Sequence, residues 1–62
     1  MYLVKRLADG KITYRSADEG GLYWGASLSK VVCYTKGDAE ISARVQRLAF
    51  PECEYHVVEI TN

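Results

Sequence analysis

The hydrophobic and polar positions of this chain separate into extended segments and one helix. Tyr2 to Leu7 is rich in Leu, Val and Tyr, side chains that suit a pleated, half-buried surface. Ala8-Asp9-Gly10-Lys11 interrupts it, and Asp-Gly is a strong turn signal because glycine accepts positive φ. Ile12 to Arg15 resumes strand chemistry, so residues 2–15 form an expected β-hairpin. Ser16 to Gly21 is small, acidic and flexible and is expected to be a loop. Leu22-Tyr23-Trp24, closed by Gly25, continues that loop as an aromatic segment. Residues 26–30 suit either a turn of helix or a lead-in to a strand. Val31-Val32-Cys33-Tyr34 is β-branched and aromatic and is the expected third strand.

Thr35-Lys36-Gly37-Asp38 has the form of a capping box, with Asp in place of Glu. Asp38 and Glu40 put negative charge in the first turn, and Arg44 and Arg47 put positive charge near the last; both suit the helix dipole. Ile41, Val45 and Leu48 recur at i, i+4 and i+7, a single apolar stripe expected to face a sheet. Ala39, Ser42, Ala43 and Ala49 flank it. The helix should span 36–49, and Pro51 stops it. Glu54 to Thr61 is the last strand. The sum is one α+β domain over residues 1–62: a four-stranded sheet, mixed or antiparallel, in the order β-β-β-α-β, with one helix on one face. If the third and last strands lie side by side they should be parallel, joined by a right-handed crossover.

Strand faces alternate with period two. Tyr2 and Val4 oppose Leu3 and Leu7; Val31 and Cys33 oppose Val32 and Tyr34; Tyr55 and Val57 oppose His56, Val58 and Ile60. Both faces are apolar on three strands, and one helix covers one face. The other needs a cover, either the 22–24 segment folded over it or another chain, including a second copy.

Composition adds limits. With 62 residues and 48% hydrophobic content the chain is too apolar for a disordered tail and has room for one small core. Eight basic groups balance eight acidic ones, which argues against coating nucleic acid by bulk charge. The balance is uneven along the chain: residues 1–15 carry Lys5, Arg6, Lys11 and Arg15 against Asp9, while residues 52–62 carry Glu52, Glu54 and Glu59. No apolar run approaches the roughly 18 residues of a membrane span, and no secretory leader pattern occurs. A cytoplasmic location and no membrane contact are therefore expected. Cys33 and Cys53 are expected to be free, buried thiols; no CxxC spacing, metal-ligand set or cofactor motif is present.

Candidate chemistry is sparse. His56 is the one histidine and lies among valines. A nucleophile–base pair would need Cys33 on a neighbouring strand, since Cys53 is too near along the same extended segment. A Cys and a His on one sheet face more often serve packing, so no catalytic residue is assigned and an enzyme is not expected. Aromatic side chains anchor protein interfaces, which makes Tyr14, Tyr23, Trp24 and Tyr34 the candidate partner-binding residues. Tyr23 and Trp24 could equally plug the core. The alternative is a small nucleic-acid-binding protein that uses Lys5, Arg6, Lys11 and Arg15 with the tyrosines as a stacking surface.

One likeness spans nearly the whole chain. Tyr2-Leu3-Val4-Lys5, Asp9-Gly10-Lys11, Trp24, Lys30-Val31, Thr35-Lys36-Gly37-Asp38-Ala39 and Val57-Val58-Glu59-Ile60-Thr61 together resemble small phage and prophage accessory proteins. That resemblance implies a non-enzymatic protein that binds and inhibits a host protein or defence complex in the host cytoplasm, and it assigns no catalytic residue.

Overall fold

The computed structural model describes residues 1–61. It contains β1 (Tyr2–Ala8), β2 (Lys11–Asp18), β3 (Gly21–Gly25), α1 (Lys36–Ala49) and β4 (Glu54–Glu59). The strands form one sheet in the order β3-β2-β1-β4, every neighbouring pair antiparallel. The expected α+β class, with four strands and one helix, is what the chain adopts.

The first hairpin follows from its turn. Ala8 pairs with Lys11, leaving Asp9 and Gly10 as a two-residue loop with φ of 53° and 73°. Two successive positive φ values are the signature of the mirror-image turn that matches strand twist. The second hairpin departs from expectation. Ser16 to Asp18 belong to β2, and Leu22-Tyr23-Trp24 is a strand rather than a loop, pairing with β2 from Tyr14↔Gly25 to Asp18↔Gly21. Glu19 and Gly20 make the turn: the Gly20 amide donates to the Asp18 carboxylate at 2.8 Å, and Gly21 takes a φ of 112°. The same small and acidic residues that suggest a loop close this tight turn.

The expected third strand at 31–34 is therefore displaced. β1 and β2 pair only from Lys5↔Tyr14 to Ala8↔Lys11 and diverge beyond that. Residues 30–34 fill the split. The amide of Ala17 donates to the Lys30 carbonyl at 3.1 Å, and that of Val32 to the Arg15 carbonyl at 2.9 Å. Tyr2 and Tyr34 exchange both backbone bonds, at 2.9 and 2.7 Å. The segment thus satisfies the free edges of two splayed strands through isolated bridges. No parallel βαβ unit forms, because 31–34 makes only isolated antiparallel bridges to β1 and β2 and does not pair with β4. Cys33, on this wedge, is exposed rather than buried, since it does not lie in the sheet interior.

The helix has the expected bounds. The Thr35 hydroxyl accepts from the Asp38 amide at 3.2 Å, which caps the first turn. At the other end Phe50 closes on the Gln46 carbonyl, and Pro51 follows. Its orientation is the main correction. Ala39 and Ala43 are the buried helix residues, packed with Val4 and Tyr55 and flanked by Tyr2, Trp24, Tyr34, Cys53 and Val57. Ile41, Val45 and Leu48 point away from the sheet, 57%, 55% and 79% exposed. Large aromatic side chains stand on the sheet, and only alanines let the helix backbone approach over them.

The inner and outer faces of α1 should therefore respond oppositely to added bulk. Ala43→Leu should destabilise by about 1–3 kcal/mol through overpacking. Val45→Leu should leave monomer stability within about 0.5 kcal/mol. Urea denaturation at low protein concentration measures both, and a costly change at Val45 with a tolerated one at Ala43 would contradict the orientation.

Candidate protein-interaction surface

Alternation and register place the candidate side chains of the four strands on one of two faces. Val4, Arg6, Arg15, Trp24, Tyr55 and Val57 share the helix side, while Leu3, Lys5, Tyr14, Ser16, Tyr23, His56 and Val58 share the other. The helix contacts β1 and β4, so the part of its own face above β2 and β3 is left to other cover. Trp24 supplies it. Its ring starts on edge strand β3, reaches across the sheet and meets the Tyr55 ring on the opposite edge strand at a centroid distance of 5.6 Å. It packs on the core beside Ala39 and Ala43.

Two guanidinium groups attend the Trp24 ring. The Cζ atoms of Arg6 and Arg15 lie 4.9 and 5.0 Å from its centroid, a cation–π arrangement. Arg15 stands directly across from Trp24, and Arg6 pairs with Tyr55. The Nε atoms of both arginines and the Thr13 hydroxyl are buried without a hydrogen-bond partner. Each guanidinium thus lies on aromatic surface, with its Nε withdrawn from water.

The four basic residues singled out in the sequence share no single face. Arg6 and Arg15 are engaged with Trp24, Lys5 projects from the opposite face beside Tyr14, and Lys11 closes the first turn. The four candidate aromatics are divided as well. Trp24 and Tyr34 contribute to the core, whereas Tyr14 and Tyr23 lie on the face without a helix. Tyr23 folds back along β3, so that a Cβ on Gly25 would stand 2.9 Å from its ring and 3.2 Å from the Ser16 hydroxyl. Ser16 is buried beneath this group and bonds the Tyr14 carbonyl at 2.9 Å. Tyr55 and Thr13 escaped sequence reasoning; the Arg6↔Tyr55 register that joins the former to the cluster emerges only from strand order.

Chemistry of the catalytic kind is not assembled around the Cys and His pair. Cys33 sits in the wedge beside Tyr34, on the edge of β1 that faces away from β4, whereas His56 belongs to β4. A groove of about 380 Å³ at the hairpin end is lined by Leu7, Ala8, Asp9, Gly10, Ile12, Glu52 and Glu54. Among the described residues no group of His, Cys, Asp or Glu is arranged to hold a metal ion. No helix among them is long and apolar enough to cross a membrane.

The most extensive unpartnered apolar feature is on α1. Ile41, Val45 and Leu48 form a continuous outward stripe over two turns, and Phe50 adds a half-exposed ring at its end. Small Gly37, Ser42 and Ala49 border it, and nothing lies within 4 Å of where a Gly37 side chain would stand. Arg47 takes no part, because its guanidinium donates to the Tyr55 carbonyl at 2.6 Å. That bond ties the last helical turn to β4 and holds the stripe outward.

Burial raises the Tyr55 hydroxyl pKa above its ordinary value near 10, the neighbouring Cys53 thiol adds to the shift and the Arg6 guanidinium opposes it. Because the folded-state value is the higher one, the stabilisation is fully present below about pH 10 and is lost as pH rises through the folded value. Chemical denaturation from pH 8 to about pH 11 should show a steeper loss of stability in the wild type than in Tyr55→Phe. Parallel pH profiles would contradict a buried, protonated Tyr55.

The chain matches no protein-family model, and no curated protein or solved structure matches it.

Proposed function

We propose that this protein is a non-enzymatic protein-binding module whose contact surface is the outward face of α1. The observation that carries the reading is the inverted helix, which buries alanine and presents Ile41, Val45 and Leu48 to solvent. Soluble monomers scatter single apolar residues over their surface, but a contiguous patch marks a contact site. A small domain that acts by occupying a surface needs a rigid scaffold and an apolar face; α1, fixed by its cap and by Arg47, supplies both. On the likeness to phage accessory proteins, the target class is a host protein and the effect inhibition, in the host cytoplasm.

Val45→Glu places a charge in the centre of the stripe without touching the core. Affinity capture from a cell lysate, followed by mass spectrometry, should enrich a protein on the wild type that persists in high salt and is absent from the variant. Circular dichroism should show the variant folded. Identical captures, or binding only to nucleic acid that elutes at moderate salt, would contradict the proposal.

A further inference from the structure

The apolar stripe has features that point to one occupant, a second copy of this chain. An interface between identical chains with two-fold symmetry is self-complementary, so the same patch must supply both knobs and holes and both signs of charge. The outward side of α1 meets each condition when two helices pair antiparallel. Ile41 of one copy then lies against Val45 of the other, and Val45 against Ile41, which places the apolar centre on the two-fold axis. In that register Glu40 of each copy lies two residues, about 3 Å of helical rise, from the level of Arg44 of the other, within reach of its long side chain. Both residues are exposed on the same flank of the stripe, so the charges repeat twice with opposite signs facing.

The register also accounts for the ends of the stripe. Leu48, the most exposed large apolar residue of the chain, comes over the first helical turn of the other copy. That turn contains Gly37, a poor helix former with open space where its side chain would be. The gap receives the leucine. Pairing also sets the two helix dipoles head to tail.

We infer that the protein forms an isologous dimer through antiparallel α1 helices, with Ile41, Val45 and Leu48 at the centre and reciprocal Glu40–Arg44 contacts at the rim. The inference rests on the reading of α1 as a contact surface: the reversible dimer is the form of the free protein, and a host protein competes for the same face. A single-helix contact falls at or below about 1,200 Å² of total buried area, which gives a reversible dimer whose population rises with concentration.

Sedimentation equilibrium from low micromolar to millimolar protein tests this, with circular dichroism on each variant to confirm the helix. The wild type should pass from monomer to dimer across the range, and Val45→Glu should remain a folded monomer. Glu40→Arg should weaken the dimer roughly tenfold by replacing attraction with repulsion at two symmetric contacts. The double variant Glu40→Arg/Arg44→Glu should regain most of the loss. A wild type that stays monomeric at millimolar concentration overturns the self-pairing, while capture of a foreign protein that depends on Val45 would then leave the contact-surface reading standing. A dimer indifferent to Val45→Glu overturns the assignment to this face. A dimer that Val45→Glu dissolves, but that the double variant fails to restore relative to Glu40→Arg, overturns the antiparallel register.

Discussion

The close approach of α1 to the sheet over Ala39 and Ala43 sets the rest of the structure. Val4 and Tyr55 beneath the helix are almost fully buried, and together with the two alanines they are the centre of a very small core. Tyr2, Trp24, Tyr34 and Val57 surround that centre and leave little height for helix side chains. A helix with leucine on its inner face would ride higher and open the core. Alanine on the inner face commits the larger residues to the outer one, since residues half a turn apart cannot both face the sheet. The exposed stripe is thus a consequence of how the core is filled.

The same constraint explains the part played by Trp24. One helix over two strands leaves half of its sheet face uncovered. The indole reaches across from the edge strand and closes the gap, with Arg6 and Arg15 capping its ring. Two residues that suggest a nucleic-acid surface when read along the chain are thereby drawn into packing. The wedge at 30–34 does the equivalent for the backbone, because it satisfies strand edges that the divergence of β1 from β2 would otherwise leave open.

Local chemistry was legible where it alone decides the outcome. The Asp9-Gly10 turn needs two positive φ values, and the helix at 36–49 has a threonine cap and a proline stop; both lie where the residues indicate. The choice of third strand was not legible, because 22–24 and 31–34 are both short apolar runs. Their competition is settled by the tight Glu19-Gly20 turn, which places 21–25 directly beside β2. The orientation of α1 is not legible in the sequence for a related reason. Periodicity identifies a stripe but not the element it faces, and only the assembled sheet shows that its surface is already crowded with aromatic rings. The candidate contact surface was therefore present in the sequence as Ile41, Val45 and Leu48, assigned to the wrong side of the helix.

In the folded monomer alanine faces in and the apolar stripe faces out. Methyl NMR in the presence of a soluble paramagnetic agent, at a concentration low enough to keep the protein monomeric, measures this directly. Strong relaxation of the Ile41, Val45 and Leu48 methyls and protection of those of Val4, Ala39 and Ala43 are expected. Protected stripe methyls together with exposed Ala39 and Ala43 methyls would contradict this orientation.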